Sequence, residues 1–373
     1  MSHLKALDGI RGIAILLVMC FHFGYLAPGW VGVQIFFTLS GYLITGILLQ
    51  SRDKSCAAFF ADFYWHRAVR ILPLLYFFIL ICVPVYAISG SPATFGSDWP
   101  WLAVFAGNFA RMRPTDLGPS FVHLWSLAVE QQFYLIWPVL LYFLPPRTFR
   151  TAVAGVLLLT PLLRLMLFQW LVHLGYDQQY AGKAAYVLPF TQFDAFAAGA
   201  AIPLWNLDRI PNAGRWLFGA VVAAGAAGFA VLLTAYLHQA GAFIFSFGYA
   251  MYLVQGYGYV WGYSLLNILS MLWIVHVLQA AGASRWLAAR PLTWIGRISF
   301  GMYVYHVPLL LLANALVARL PAALRPSFRL PLFITWLATV LLVSETSYRW
   351  IERPFLKLKN QRPGGQAATA ASR

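Results

Sequence analysis

The 373-residue chain is 61% hydrophobic and only 10% charged, with a mean hydropathy of +0.70 and a net charge of +15. That composition excludes a soluble globular protein, in which about 25% of residues are charged. The positive balance comes without a basic, aromatic-interleaved domain, so it argues against nucleic acid and fits the Lys/Arg excess of inner membrane loops.

Apolar runs of about 18 residues or more recur along the chain, each long enough to span a bilayer as a helix. Spans are predicted at 10–27, 31–50, 70–88, 121–144, 152–172, 186–205, 215–236, 264–281, 298–317 and 331–351. The expected fold is therefore all-α, a polytopic bundle of about ten transmembrane helices. Two further apolar stretches, 99–110 and 242–261, read as re-entrant or interfacial; if the second crossed, the count would be eleven. The first segment begins like a signal peptide but lacks a small-residue cleavage site, and Met19 before Cys20 argues against a lipoprotein site. It is read as retained. Cys20, Cys56 and Cys82 show no paired or metal-binding spacing, so no metal is expected. With ten spans both termini are cytoplasmic, and lysine and arginine favour that side roughly threefold. Residues 1–357 form one membrane domain, and 358–373 a basic tail expected to be disordered.

Ionisable residues inside such spans are expensive, about 2.5–3.5 kcal/mol for a charge at the helix centre, and point to function. In chain order the first are Asp8, Arg11 and His22. Arg11 and His22 are eleven residues apart, which is three helical turns plus about 20°, so they share a face roughly 16 Å apart along the axis. A membrane anchor plus a histidine bonded to a neighbouring helix would account for them equally well. Next, "FYWHRAVRILP" sets Arg67 and Arg70 on one face of an interfacial helix beside His66, a fork suited to phosphates or, again, an anchor. "HLWSLAVEQQFYLIWP" places His123, Glu130 and Tyr134 on one stripe, with Ser126 beside it. A buried carboxylate such as Glu130 must be paired or protonated; an ion pair with Arg164 would be the structural explanation. Asp194 falls within the sixth span and His306 in the ninth, while Glu352-Arg353-Pro354 reads as a helix stop. No Walker loop, HExxH or GxSxG occurs.

These residues carry a resemblance. "LDGIRGIAILLVMCFH" is similar to the opening of the acyltransferase family 3 membrane proteins, whose signature is an arginine, ten residues and a histidine; Arg11 and His22 match it. "GVQIFFTLSGYLI" resembles that family's second-helix motif around Ser40-Gly41, and "FYWHRAVRILP" its Arg-x-x-Arg loop. "HLWSLAVEQQFYLIWP" resembles its fourth-span motif with Glu130, and "IGRISFGMYVYHVP" and "YRWIERP" its last two helices. The motifs run in the family's order from about residue 4 to 357. Three positions depart from it: Gln34, where an acidic residue is common, and His66 and Gln192, where arginine is. The chain resembles members that lack an added esterase-like domain.

The resemblance implies an enzyme of the bacterial inner membrane that moves an acyl group, usually acetyl, from cytoplasmic acyl-CoA to a hydroxyl of a glycan. Acceptors in the family include lipopolysaccharide, peptidoglycan, exopolysaccharide and macrolides, and lipid-linked saccharides fit the same role. It implies Arg11, Arg67 and Arg70 at the acyl-CoA phosphates, His22 as base or acyl carrier, and Glu130 beside it. Asp8, Ser40, His123, Tyr134, Asp194 and His306 are then candidate acceptor or supporting contacts. Acetyl-CoA would be the donor substrate. The alternative is a transporter or flippase passing an anionic or lipid-linked substrate, which predicts repeat symmetry and paired broken helices.

Overall fold

A computed structural model describes residues 2–88, 92–238, 244–319, 321 and 325–360. Most of the expected tail, residues 361–373, lies outside them. Among the described residues the chain is helical and contains no strand. The helices are α1 (Ser2–His22), α2 (Val31–Gln50), α3 (Cys56–Ile88), α4 (Pro92–Ala103), α5 (Gly107–Ala110), α6 (Trp125–Phe143), α7 (Pro146–His173), α8 (Gln178–Val187), α9 (Phe193–Trp205), α10 (Ala213–Leu237), α11 (Gly258–Gln279), α12 (Ala281–Leu287), α13 (Arg290–Val317), α14 (Arg329–Ser347) and α15 (Arg353–Lys357).

By length and composition, seven described segments can cross a membrane: α2 with its preceding turn, α3, α7, α10, α11 with its preceding turn, α13, and α14 through α15. Among the other expected spans, α1 carries Lys5, Asp8 and Arg11 in its first half, and α6 carries Glu130. The third, α9, is 13 residues long.

Four predicted elements take a different form. The arginine loop and the third span are one continuous helix, α3, that runs through Pro73 and Pro84. Proline is tolerated in a membrane helix whose neighbours shield the freed backbone groups. The predicted span 186–205 straddles a break. Pro189 forces Leu188 out of the helical region, to φ −79° and ψ 143°, so α8 stops there and α9 starts afresh. Side chains cover the broken backbone: Gln192 donates to the Ala185 carbonyl and Arg164 to the Thr191 carbonyl, both at 3.3 Å. The stretch 244–257 makes no eleventh span, because positive φ at Phe247, Gly248, Tyr252, Leu253, Gly256 and Tyr257 turns the chain repeatedly. Finally, the last span passes through a π-helical turn, Tyr348–Glu352, into α15, so the expected helix stop at Glu352-Arg353-Pro354 does not occur.

Two crossings set the frame for the interior. A Cβ on Gly296 of α13 would lie 1.8 Å from the Asp8 carbonyl oxygen of α1, and one on Gly199 of α9 would lie 1.8 Å from the Thr38 carbonyl oxygen of α2. Only glycine allows backbones to approach so closely, the usual device for packing helices in lipid. Near the second crossing, Gln34 donates to Gln192 at 2.9 Å, so two of the three positions that depart from the resemblance pair as neutral amides.

The bundle also contains a fully buried ion pair. Arg164 of α7 meets Asp194 of α9 at 2.6 Å, and the two side chains are 0% and 1% exposed. Ser264 of α11 joins both, 2.6 Å from Arg164 and 2.7 Å from Asp194. Arg164→Ala should therefore destabilise the protein by about 3–5 kcal/mol, because it strands a buried carboxylate. Thermal unfolding in detergent checks this; the double change Arg164→Met with Asp194→Leu should recover much of the loss.

Candidate functional site

Between α1, α2, α3, α6 and α13 lies a cavity of about 820 Å³, its open mouth included. That is within the ~300–1,000 Å³ of ligand pockets. Its polar lining comprises Arg11, Arg67, Arg70, Glu130 and Tyr134, with Ser40, Ser126, Ser299 and Tyr303. Phe36, Phe37, Ile71 and Phe300 supply apolar wall. Six residues predicted from the sequence are thus brought together: Arg11, Ser40, Arg67, Arg70, Glu130 and Tyr134.

Helical spacing explains the arrangement. Ser126, Glu130 and Tyr134 are successive i, i+4 positions of α6, so one stripe faces the cavity. Glu130 Oε1 accepts from Ser40 of α2 and from Tyr134, both at 2.5 Å. The Arg67 guanidinium lies 5.7 Å from the centroid of the Tyr134 ring, and its Nε is buried without a hydrogen bond. Arg11 pairs with Asp8 at 3.1 Å, which places Asp8 behind the arginine rather than on the lining. Three guanidiniums and one carboxylate therefore line the cavity, with Asp8 behind Arg11, so the lining itself keeps a surplus of positive charge. Lys359 stands at the same end; burial, and then repulsion from Arg67 and Arg70, hold its ammonium below the usual lysine range. Such a site suits a multiply charged anion, to which arginines donate strong charge-assisted bonds.

The histidines lie elsewhere. His22, His123 and His306 do not line the cavity. They form their own cluster, with ring centroids 4.7 Å apart for His22 and His306 and 4.8 Å for His306 and His123. His123 is not on the α6 stripe, because it sits on the 3-10 turn Val122–Leu124 before that helix begins. Tyr303 touches both regions: it lines the cavity, and its ring centroid lies 5.5 Å from those of His123 and His306. Its hydroxyl donates to the His123 carbonyl at 2.5 Å and meets Ser126 Oγ at 2.6 Å. Asp194 is remote from both, in the ion pair with Arg164.

Three residues were missed from the sequence: Ser299 and Tyr303 on the cavity lining, and Glu352. Tyr303 could have been found as the polar residue one turn before His306. Glu352, read as a helix stop, is 5% exposed with Oε1 lacking a hydrogen bond; it points toward Gly301 on the π-helical turn, and Arg70 is the charge acting on it. A π-turn in a helix frequently marks a functional position.

Over residues 4–345 the chain matches the acyltransferase domain family. The peptidoglycan O-acetyltransferase OatA of Listeria monocytogenes is 28% identical, over 95% of this chain and 56% of its own length. The O-acetyltransferase OatA of Staphylococcus aureus is 25% identical, over 95% of this chain and 57% of its own length. The chain thus spans just over half the length of these curated relatives. No solved structure matches it.

The Glu130 contacts yield a stability prediction. Tyr134→Phe removes one of two hydroxyl donors to a half-buried carboxylate, and should lower stability by about 1.5 kcal/mol, the low end of the range for hydrogen bonds to charged groups. Thermal unfolding of the purified variant checks it; an unchanged midpoint would mean that Glu130 is satisfied without Tyr134.

Proposed function

From the premise that the chain belongs to the acyltransferase family 3, whose domain it matches almost end to end, we propose that it is a membrane O-acyltransferase. It transfers acetyl from acetyl-CoA, arriving from the cytoplasm, to a hydroxyl of a cell-wall glycan. Peptidoglycan is the acceptor to test first, because a relative covering the same region is named for it. The setting is the bacterial inner membrane, with both termini cytoplasmic.

The observation that carries this reading is the arginine-lined cavity. Acyl-CoA offers phosphates at one end and a thioester at the other, joined by a long flexible arm. Arg67 and Arg70 take the phosphates with Arg11, and Glu130 holds the arginine cluster in place through Tyr134 and Ser40. The arm runs along the cavity toward Ser126 and Tyr303, which it meets before the histidines. His22, roughly 16 Å from Arg11 by helical rise, then accepts the proton of the acceptor hydroxyl as general base. The oxygen attacks the thioester carbonyl, the C–S bond breaks, and CoA leaves as the thiol once that proton is returned to sulfur.

Purified protein incubated with labelled acetyl-CoA and soluble peptidoglycan fragments tests the reading. Label should move to the glycan, and His22→Ala should abolish transfer while the protein stays folded. Uptake of substrate without acyl transfer would favour a transporter and overturn the proposal. In calorimetric titration with CoA, Arg67→Ala and Arg70→Ala should each raise the Kd about 10- to 100-fold, as expected for loss of one charge-assisted contact.

A further inference from the structure

The histidine cluster has a polarity that can be read atom by atom. His306 Nδ1 lies 2.7 Å from the Tyr303 carbonyl oxygen. A carbonyl only accepts, so Nδ1 carries the proton and, in the neutral ring, Nε2 is a bare lone pair. That Nε2 is fully buried and has no hydrogen-bond partner. His123 is fixed in the opposite tautomer. Its Nε2 lies 3.1 Å from the Val304 carbonyl oxygen, so Nε2 carries the proton, and its Nδ1 is likewise buried and bare. The Val304 carbonyl is free to accept because Pro308, four residues on, has no N–H to offer it. Trp336 also anchors this turn, donating to the His306 carbonyl at 3.1 Å.

Two imidazoles pack against His306. His123 has its one ring proton committed to Val304, so His22 is the imidazole left with a proton to give. We propose that His306 is the positioning residue for His22: it accepts the proton from the far nitrogen of His22 as the near nitrogen takes one from the acceptor hydroxyl. The balance is complete within the reaction. The O–H bond breaks and an N–H bond forms on His22, while the other His22 N–H bond breaks and one forms at His306 Nε2. His306 becomes imidazolium, with its Nδ1 proton held by the Tyr303 carbonyl. When the C–S bond breaks, the proton returns along the same path to the thiolate, and both rings recover their starting tautomers. His123 does not take this place, because its ring packs against His306, whereas it is the His306 ring that meets His22.

This inference rests on the acyl-transfer reading, and the experiment separates the two. Turnover of acetyl-CoA with soluble peptidoglycan fragments is measured in mixtures of light and heavy water. If the wild-type protein transfers no acetyl group, the acyl-transfer reading fails. If it does, the wild-type rate should fall along a curved line as deuterium rises, because two protons move together; a straight line overturns the His306 role without any variant. His306→Asn keeps a donor for the Tyr303 carbonyl and removes the base. It should lower kcat about 100-fold or more, within the range for proton-transfer groups, with the KM for acetyl-CoA unchanged and the isotope dependence now linear. His306→Gln serves as the second variant and should behave the same way. A kcat near wild type in either variant, or a lowered kcat that keeps the curved dependence, overturns the proposal.

Discussion

Three guanidiniums crowd one cavity inside a bundle of apolar helices, and the organisation of the site follows from keeping them there. Each would be expensive alone in such surroundings. Glu130 offsets part of that charge, and its position is fixed by hydroxyls from two helices, Ser40 on α2 and Tyr134 on its own α6. Asp8 offsets another part, one turn from Arg11 on α1. The remaining surplus is what distinguishes this cluster from the Arg164–Asp194 pair. There, one cation meets one anion with a serine bridging them, and no charge is left to attract a ligand. The Arg164 pair is fully buried and the cavity arginines are half-buried; of the two sets, the cavity lining is the one with guanidiniums left over for an anion.

Helix α13 joins the charged cavity to the histidines. It crosses α1 at Gly296, close enough that both helices face the cavity with Arg11, Ser299 and Tyr303 on its lining. One turn past Tyr303 on α13, and three past Arg11 on α1, the same pair of helices brings His306 and His22 into ring contact. Pro308 then shapes the junction chemically, since the carbonyl it leaves without a helical partner is the one that orients His123. A single helix therefore sets the reach of the cavity, its closure by Tyr303 and the tautomers beyond it.

Much of this was legible in the sequence, and the limits have physical causes. The Ser126–Glu130–Tyr134 stripe and the Arg67–Arg70 fork depend only on helical periodicity, and their residues line the cavity as spaced. Long-range pairings were not readable that way. Nothing local says that Arg164 meets Asp194 rather than Glu130, because the choice depends on how α7 packs against α9. The break at Pro189 was written in the chain, since proline restricts the residue before it, but a run of apolar residues on both sides hid it. His123 was placed on a helical stripe that starts two residues too late to include it. Glu352 looked like the end of a helix, yet the chain runs on helically through Lys357, and the carboxylate on the π-turn is buried.

The separation of cavity and histidines constrains any acyl-transfer chemistry more tightly than the spacing of Arg11 and His22 alone. That spacing suggests an open channel along one helix face. Instead, the Tyr303 side chain lies on the cavity lining and against the His306 ring, held by the His123 carbonyl and by Ser126. Because its hydroxyl proton is committed to a backbone carbonyl, Tyr303 has no proton to relay, and the histidines are insulated from the charged cavity by an aromatic ring. On the acyl-transfer reading, that insulation has a use. A bare imidazole beside three guanidiniums would face water drawn in by the charges, and a thioester arriving there would be open to hydrolysis. With Tyr303 between them, the phosphates are gripped in one compartment and proton transfer is confined to the other, so only the small acyl end of the donor has to pass from one to the other.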